Sequence, residues 1–108
     1  MSLQNRYKKI RKEHFANLIE GEIKYGQIGS KDYYITYDEN KNYVIEIHSC
    51  HRGGRILNDI IKMAMIKVCL DLYSNEWNPY ERERLILKKA REVGISMRLL
   101  KDELRGLL

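Results

Sequence analysis

Ile60-Ile61-Lys62-Met63-Ala64-Met65-Ile66-Lys67-Val68-Cys69-Leu70-Asp71-Leu72-Tyr73 is the stretch on which the fold turns. Eleven of its 14 residues are apolar or aromatic, more than a half-exposed helix requires. It is too short to span a bilayer, and Lys62, Lys67 and Asp71 interrupt it. It therefore reads as the apolar heart of a helix from about Gly54 to Ser74. Such a helix is either central to the chain, touched on several sides, or partly an interface with a second copy. The second alternative carries the expectation of a homodimer, because it implies more apolar surface than a small monomer hides easily.

Working upstream, two runs have a strand period. Tyr33, Ile35 and Tyr37 alternate with Tyr34 and Thr36, and Tyr43, Ile45 and Ile47 alternate with Val44, Glu46 and His48. Asp38-Glu39-Asn40-Lys41-Asn42 between them is turn chemistry, so the two runs form a hairpin. Its apolar face needs cover, since an isolated hairpin is marginal. A weaker strand-prone run covers Glu22 to Ile28, which suggests a small antiparallel three-stranded sheet. Before it, Leu3, Tyr7, Ile10, His14 and Leu18 share one helical face, predicting a helix from about 3 to 20 that weakens at Gly21.

Downstream, Asn78-Pro79-Tyr80-Glu81 opens a helix with an N-cap Asn, Pro at the first position and Glu three residues after the cap. Trp77 marks the junction. Ile86, Ala90 and Val93 lie along one side, and Gly94 ends the helix where a left-handed residue costs nothing. Ile95 turns the chain and Ser96 caps a last helix, Met97 to about Leu107. The element order predicts one α+β domain over 1–108: a helix, three strands, then three helices, ending in a helical hairpin over 78–108.

The net charge of +5 has a position. Arg6, Lys8, Lys9, Arg11 and Lys12 stand among residues 1–12 with no acid, and the remaining chain sums to zero. On the last helix Arg98, Lys101 and Arg105 form one stripe, with Leu100, Leu104 and Leu107 opposite. An apolar back and a cationic front suit major-groove docking, with Arg on base edges and Lys on phosphate. Basic ends around a mildly acidic middle point to a polyanion partner at both places. A plain solvated charged surface has the same composition.

Ala90-Arg91-Glu92-Val93-Gly94-Ile95-Ser96, followed by Leu100 and Leu104, resembles the helix-turn-helix of Fis-type DNA-binding proteins, departing from it at Lys89, where an apolar or small residue is usual. Ala90, Glu92, Gly94, Ser96, Leu100 and Leu104 are equally similar to the helical dimerisation hairpin of Sin-type repressors and anti-repressors. The first resemblance implies DNA reading and the second implies self-association. A helix pair that merely completes the core would have the same pattern.

His48-Ser49-Cys50-His51-Arg52-Gly53-Gly54-Arg55 joins a strand to a helix. Arg52, Gly53, Gly54 and Arg55 make a possible anion site at a helix start, and a glycine-dependent turn explains them as well. The spacing from Cys50 to Arg55 is one residue too short for the phosphate loop of tyrosine phosphatases, so nucleophilic chemistry is excluded there. His48, Cys50 and His51 lack the paired spacing of a zinc site. Tyr33, Tyr34, Tyr37 and Tyr43 could stack bases, but alternate tyrosines on a hairpin also serve as cross-strand pairs. Helix, three strands, helix is the element order of double-stranded RNA-binding domains, though the Lys-rich start of their last helix is missing.

No nucleophile, acid–base pair or cofactor motif survives, so no enzyme activity, catalytic residue, metal or cofactor is expected. Two cysteines and no secretory or membrane-spanning pattern predict free thiols and a cytoplasmic protein with no membrane partner. The expected function is binding: a regulatory or accessory protein engaging nucleic acid, DNA before RNA, through its basic N-terminal and C-terminal helices. The alternative is a protein-directed inhibitor or anti-repressor, of the kind mobile elements encode.

Overall fold

The computed structural model describes residues 1–74, 78–96 and 98–101. Trp77, Met97, Asp102, Glu103, Leu104, Arg105 and Leu107 lie outside the described residues. The chain forms α1 (Leu3–His14), β1 (Glu22–Gly26), β2 (Tyr33–Tyr37), β3 (Tyr43–His48), α2 (Leu57–Tyr73) and α3 (Pro79–Val93), with residues 98–101 again helical. This is an α+β architecture.

The sheet is mixed, where an antiparallel one was expected. β3 lies in the middle, antiparallel to β2 and parallel to β1, giving the order β1-β3-β2. The physical reason is burial. β3 is the most regularly apolar run, and a central position lets it pair on both sides while Ile45 and Ile47 become fully buried. Residues 27–32 then cross the end of β3 instead of making a tight turn. His48 N–H donates to Asp32 O at 3.0 Å and Gln27 Nε2 donates to Ser49 Oγ at 2.8 Å, which fixes that crossing.

The β2–β3 hairpin forms as the alternation predicts, with Ile35 opposite Ile45 and Tyr37 opposite Tyr43. Asp38 organises its turn: Oδ1 accepts from the Asn40 and Asn42 amides, and Oδ2 accepts from Asn42 Nδ2 at 2.9 Å. Those donors favour the ionised carboxylate and lower its pKa. One sheet face, carrying Ile23, Ile35, Tyr43, Ile45 and Ile47, packs on the helices. The other presents Lys24, Tyr34, Thr36 and Glu46.

α2 is the central helix. Ile60, Ile61, Met63, Ala64, Met65, Ile66 and Val68 are all essentially inaccessible, covered by α1, the sheet and α3. The apolar excess that pointed to a second copy is thus accounted for within one chain. α3 packs alongside α2 through Ile86, Ala90 and Val93, and Ile95, Leu99 and Leu100 join the same core. Arg82 reaches Asp71 at 3.1 Å and Tyr37 Oη donates to the other Asp71 oxygen at 2.6 Å, tying β2, α2 and α3 at one point.

α1 ends at His14, earlier than the apolar spacing suggests. Leu3, Tyr7 and Ile10 are buried from the helix, whereas Phe15 and Leu18 are buried from the irregular segment after it. Arg11 Nε donates to Leu18 O at 2.8 Å and pins that segment back on the helix. A buried relay follows. Gly21 N–H donates to Tyr7 Oη at 2.8 Å, Tyr7 Oη donates to Tyr43 Oη at 2.6 Å, and Tyr43 Oη donates to Ile19 O at 2.6 Å. Every group in it has a partner, which a polar cluster in a core requires.

Gly21 closes against the Tyr43 ring: a Cβ there would lie 2.6 Å from Tyr43 Cδ2 and Cζ. The ring is held at both its hydroxyl and its edges and cannot swing away. Gly21→Ala is therefore expected to lower stability by about 1–3 kcal/mol, the usual cost of overpacking. A denaturant midpoint equal to that of the wild type would show that the ring can yield.

Candidate nucleic-acid interface

α1 carries five cations, and helical geometry disperses them. Tyr7 and Ile10 point into the core, so Lys8 and Lys12 point away from it and are exposed. Arg11 Nε donates to Leu18 O, on the flank facing the loop to β1. Arg6 lies on the opposite flank, where Nη1 donates to Asn58 Oδ1 of α2 at 3.1 Å. Lys9 follows it on that side. A guanidinium has five donors, so one bond to Asn58 leaves Arg6 able to bind elsewhere.

Two grooves meet at Arg6. The first, of about 690 Å³, runs over the start of α1 and is lined by Arg6, Lys24, Tyr25, Arg52 and Gly53 together with residues of the first helical turn. No carboxylate lines it. The second, of about 370 Å³, runs between α1 and α2 and is lined by Arg6, Lys9, Ile10, Glu13, His14, Asn58 and Lys62. Together they are lined by five Lys and Arg residues against one Asp or Glu. Arg6 lines both, so the two grooves share one cation.

The second groove leads to the helical corner. Lys62 Nζ donates to Val93 O at 2.8 Å, placing an ammonium on the carbonyl end of α3, where a helix favours positive charge. Asp59, three residues earlier, accepts from Ser96 N–H at 3.3 Å. Asn58, Asp59 and Lys62 thus hold α1 and the corner to the same end of α2. The corner has the expected chemistry: Asn78 Oδ1 accepts from Tyr80 N–H, Gly94 is left-handed at φ 79°, and Ser96 Oγ accepts from Leu99 N–H. Arg98 and Lys101 are exposed, while Leu99 and Leu100 are buried. Arg105 lies outside the described residues.

Lys89, where the helix-turn-helix pattern asks for an apolar residue, places its ammonium 5.2 Å from the centre of the Phe15 ring and 3.5 Å from Glu92. Its stem covers apolar surface while its charge stays paired.

The Arg52–Arg55 segment divides. Arg52 and Gly53 line the first groove, whereas Arg55 is exposed and does not. Arg52 N–H donates to Ser49 O and Gly54 N–H donates to His51 O, so these backbone donors stabilise the turn. The available charge comes from side chains instead. His48 Nδ1 accepts from Cys50 N–H at 3.0 Å, and His51 Nε2 lies 2.8 Å from Asp32 Oδ1, so both rings serve the strand-to-helix turn. Among the described residues, no three His, Cys, Asp or Glu side chains converge as metal ligands would. Cys50 is exposed. Cys50→Ser is expected to leave the thermal midpoint unchanged and the purified protein free of stoichiometric zinc; one tightly bound equivalent would reinstate His48, Cys50 and His51 as ligands.

Lys24 and Lys62 were not singled out from sequence. Lys24 lies in the weakest strand run, and Lys62 reads there as an interruption of an apolar helix. A cation flanked by buried apolar residues was itself a signal, because such a side chain must reach a partner or solvent. None of the described helices is long and apolar enough to cross a membrane. No known protein family, curated protein or solved structure matches the chain.

Proposed function

We propose that this chain is a non-enzymatic regulatory or accessory protein of the cytoplasm that binds nucleic acid, DNA ahead of RNA. The observation that carries the reading is the pair of grooves joined at Arg6, with five cations against Glu13 alone. A polyanion neutralises those charges along its length and releases its own counterions on binding. The corner that presents Arg98 and Lys101 is held to the same end of α2, and an exposed cationic face on a packed helix suits duplex DNA better than the narrow groove of duplex RNA. Lys8 and Lys12 supply further positive charge outward. The decisive experiment is titration of labelled duplex and single-stranded DNA and RNA at low salt. Binding that weakens steeply with salt supports the reading, and no binding to any of them retires it.

A second reading, a protein-directed inhibitor or anti-repressor of the kind mobile elements encode, is favoured by a different feature. Between α2 and α3 the described residues leave a cleft of about 790 Å³ with Ile66, Cys69, Leu70 and Leu85 along it and Glu81, Lys88 and Glu92 at its margin. Burial raises the pKa of the Cys69 thiol there and keeps it protonated. Mixed charge around apolar ground suits a protein surface better than a phosphate backbone.

A further inference from the structure

Arg52 lies over Tyr25, its guanidinium carbon 4.3 Å from the ring centre. Attraction to the ring uses none of the guanidinium N–H donors, so they stay available for a ligand. Lys24 lies on the other face of the edge strand β1 from Tyr25 and lines the groove at that edge, and Arg6 lines it from α1. Among the described residues, none of these three cations has an ion-pair partner. The acid that faces Lys24 in register, Glu46, lies over Gly26 and outside the groove lining. Three like charges around one concavity repel one another, and an anion seated between them removes that repulsion.

We propose that Arg52, Lys24 and Arg6 form a phosphate clamp, in which Tyr25 orients the Arg52 fork and the two other cations close the charge around one phosphate group. The clamp deepens the nucleic-acid reading and rests on it for the owner of that phosphate, a backbone phosphodiester. It differs from general attraction in its geometry. A planar fork can give two parallel hydrogen bonds to phosphate oxygens, whereas an ammonium acts as a point charge. Arg52→Lys therefore keeps the charge and loses the clamp. Arg55, three residues on and outside the groove, provides the control.

The test is a nuclear magnetic resonance titration of the whole chain with inorganic phosphate and, separately, with a thymidine dinucleotide holding a single phosphodiester. Saturable shifts confined to Arg52, Arg6, Lys24 and Tyr25 are expected. Arg52→Ala and Arg52→Lys should each raise the half-saturation concentration roughly tenfold, the factor that one lost charge-assisted bond produces. Arg55→Ala should leave it unchanged. Saturation by inorganic phosphate but not by the dinucleotide supports the clamp and assigns it to a free phosphate. Shifts spread evenly over every basic residue, or an equal effect of Arg52→Ala and Arg55→Ala, overturn it. Low-salt duplex titrations on the same proteins separate the two ideas. Duplex binding without an Arg52 response removes the clamp alone, and a local phosphate response without polynucleotide binding removes the wider reading alone.

Discussion

Tyr43→Phe is expected to lower stability by about 1–3 kcal/mol at neutral pH, because it strands buried partners that a phenylalanine cannot serve. Tyr43 is 1% exposed, and its hydroxyl both accepts from Tyr7 Oη and donates to Ile19 O. Removing it leaves a donor and a carbonyl without their bonds, at the place where the segment after α1 joins the sheet. The effect has a pH signature. Burial, reinforced by Tyr7, pushes the Tyr43 pKa well above the ordinary tyrosine value. The folded protein therefore holds this proton while the unfolded chain releases it near pH 10. The stabilising contribution is complete below about pH 10 and is lost above it, at about 1.4 kcal/mol per pH unit for one proton. Tyr37, raised by burial and by Asp71, acts in the same direction, with screening at its more exposed position reducing its share. Denaturant melts between neutral pH and pH 11 should show wild-type stability falling faster than that of Tyr43→Phe above pH 10. Parallel decline in the two proteins would remove the relay as the cause.

The helix punctuation and hairpin were legible because they depend on neighbours in sequence. Asn78, Pro79, Gly94 and Ser96 act within one turn of themselves, and Asp38 acts on residues two and four positions away. Strand order was less legible. Whether β1 pairs with β2 or crosses to the far side of β3 depends on which strand gains most from the centre, a contest among all three. The end of α1 was misplaced for a related reason, since Leu18 continues the helical spacing yet reaches the core from a loop held by Arg11. The candidate site was half legible. Arg6, Lys9 and Arg52 stand in basic segments, but their convergence with Lys24 and Lys62 arises from packing α1 across β1 and α2. Arg11, grouped with its neighbours in sequence, lies on the flank of α1 that faces the loop, where its Nε also ties Leu18.

Duplex affinity should fall steeply with salt, and substitutions in the grooves should flatten that dependence. Each phosphate neutralised on duplex DNA contributes about 0.9 to the slope of log affinity against log salt. If the five groove cations each meet one phosphate, the slope is about −4.5, and affinity drops several hundredfold between roughly 50 and 200 mM salt. Replacing Lys9, Lys24 and Arg52 together by Ala should reduce the slope by about 2.7 and weaken binding to every sequence alike. Lys8 and Lys12 point away from the core, outside the lining of either groove, so their double Ala variant should change the slope less than the groove variant does. Arg98 makes a separate expectation: its replacement should relax sequence preference, costing about 1–3 kcal/mol if the guanidinium is bidentate to a base. The protein-directed reading expects little duplex affinity even at low salt, and loss of a protein complex when the cleft between α2 and α3 is altered at Leu85. A slope near zero, or a Lys8 and Lys12 effect larger than that of the groove triple, would remove the grooves as the phosphate track. The absence of low-salt binding to any nucleic acid would instead leave the α2–α3 cleft as the leading surface.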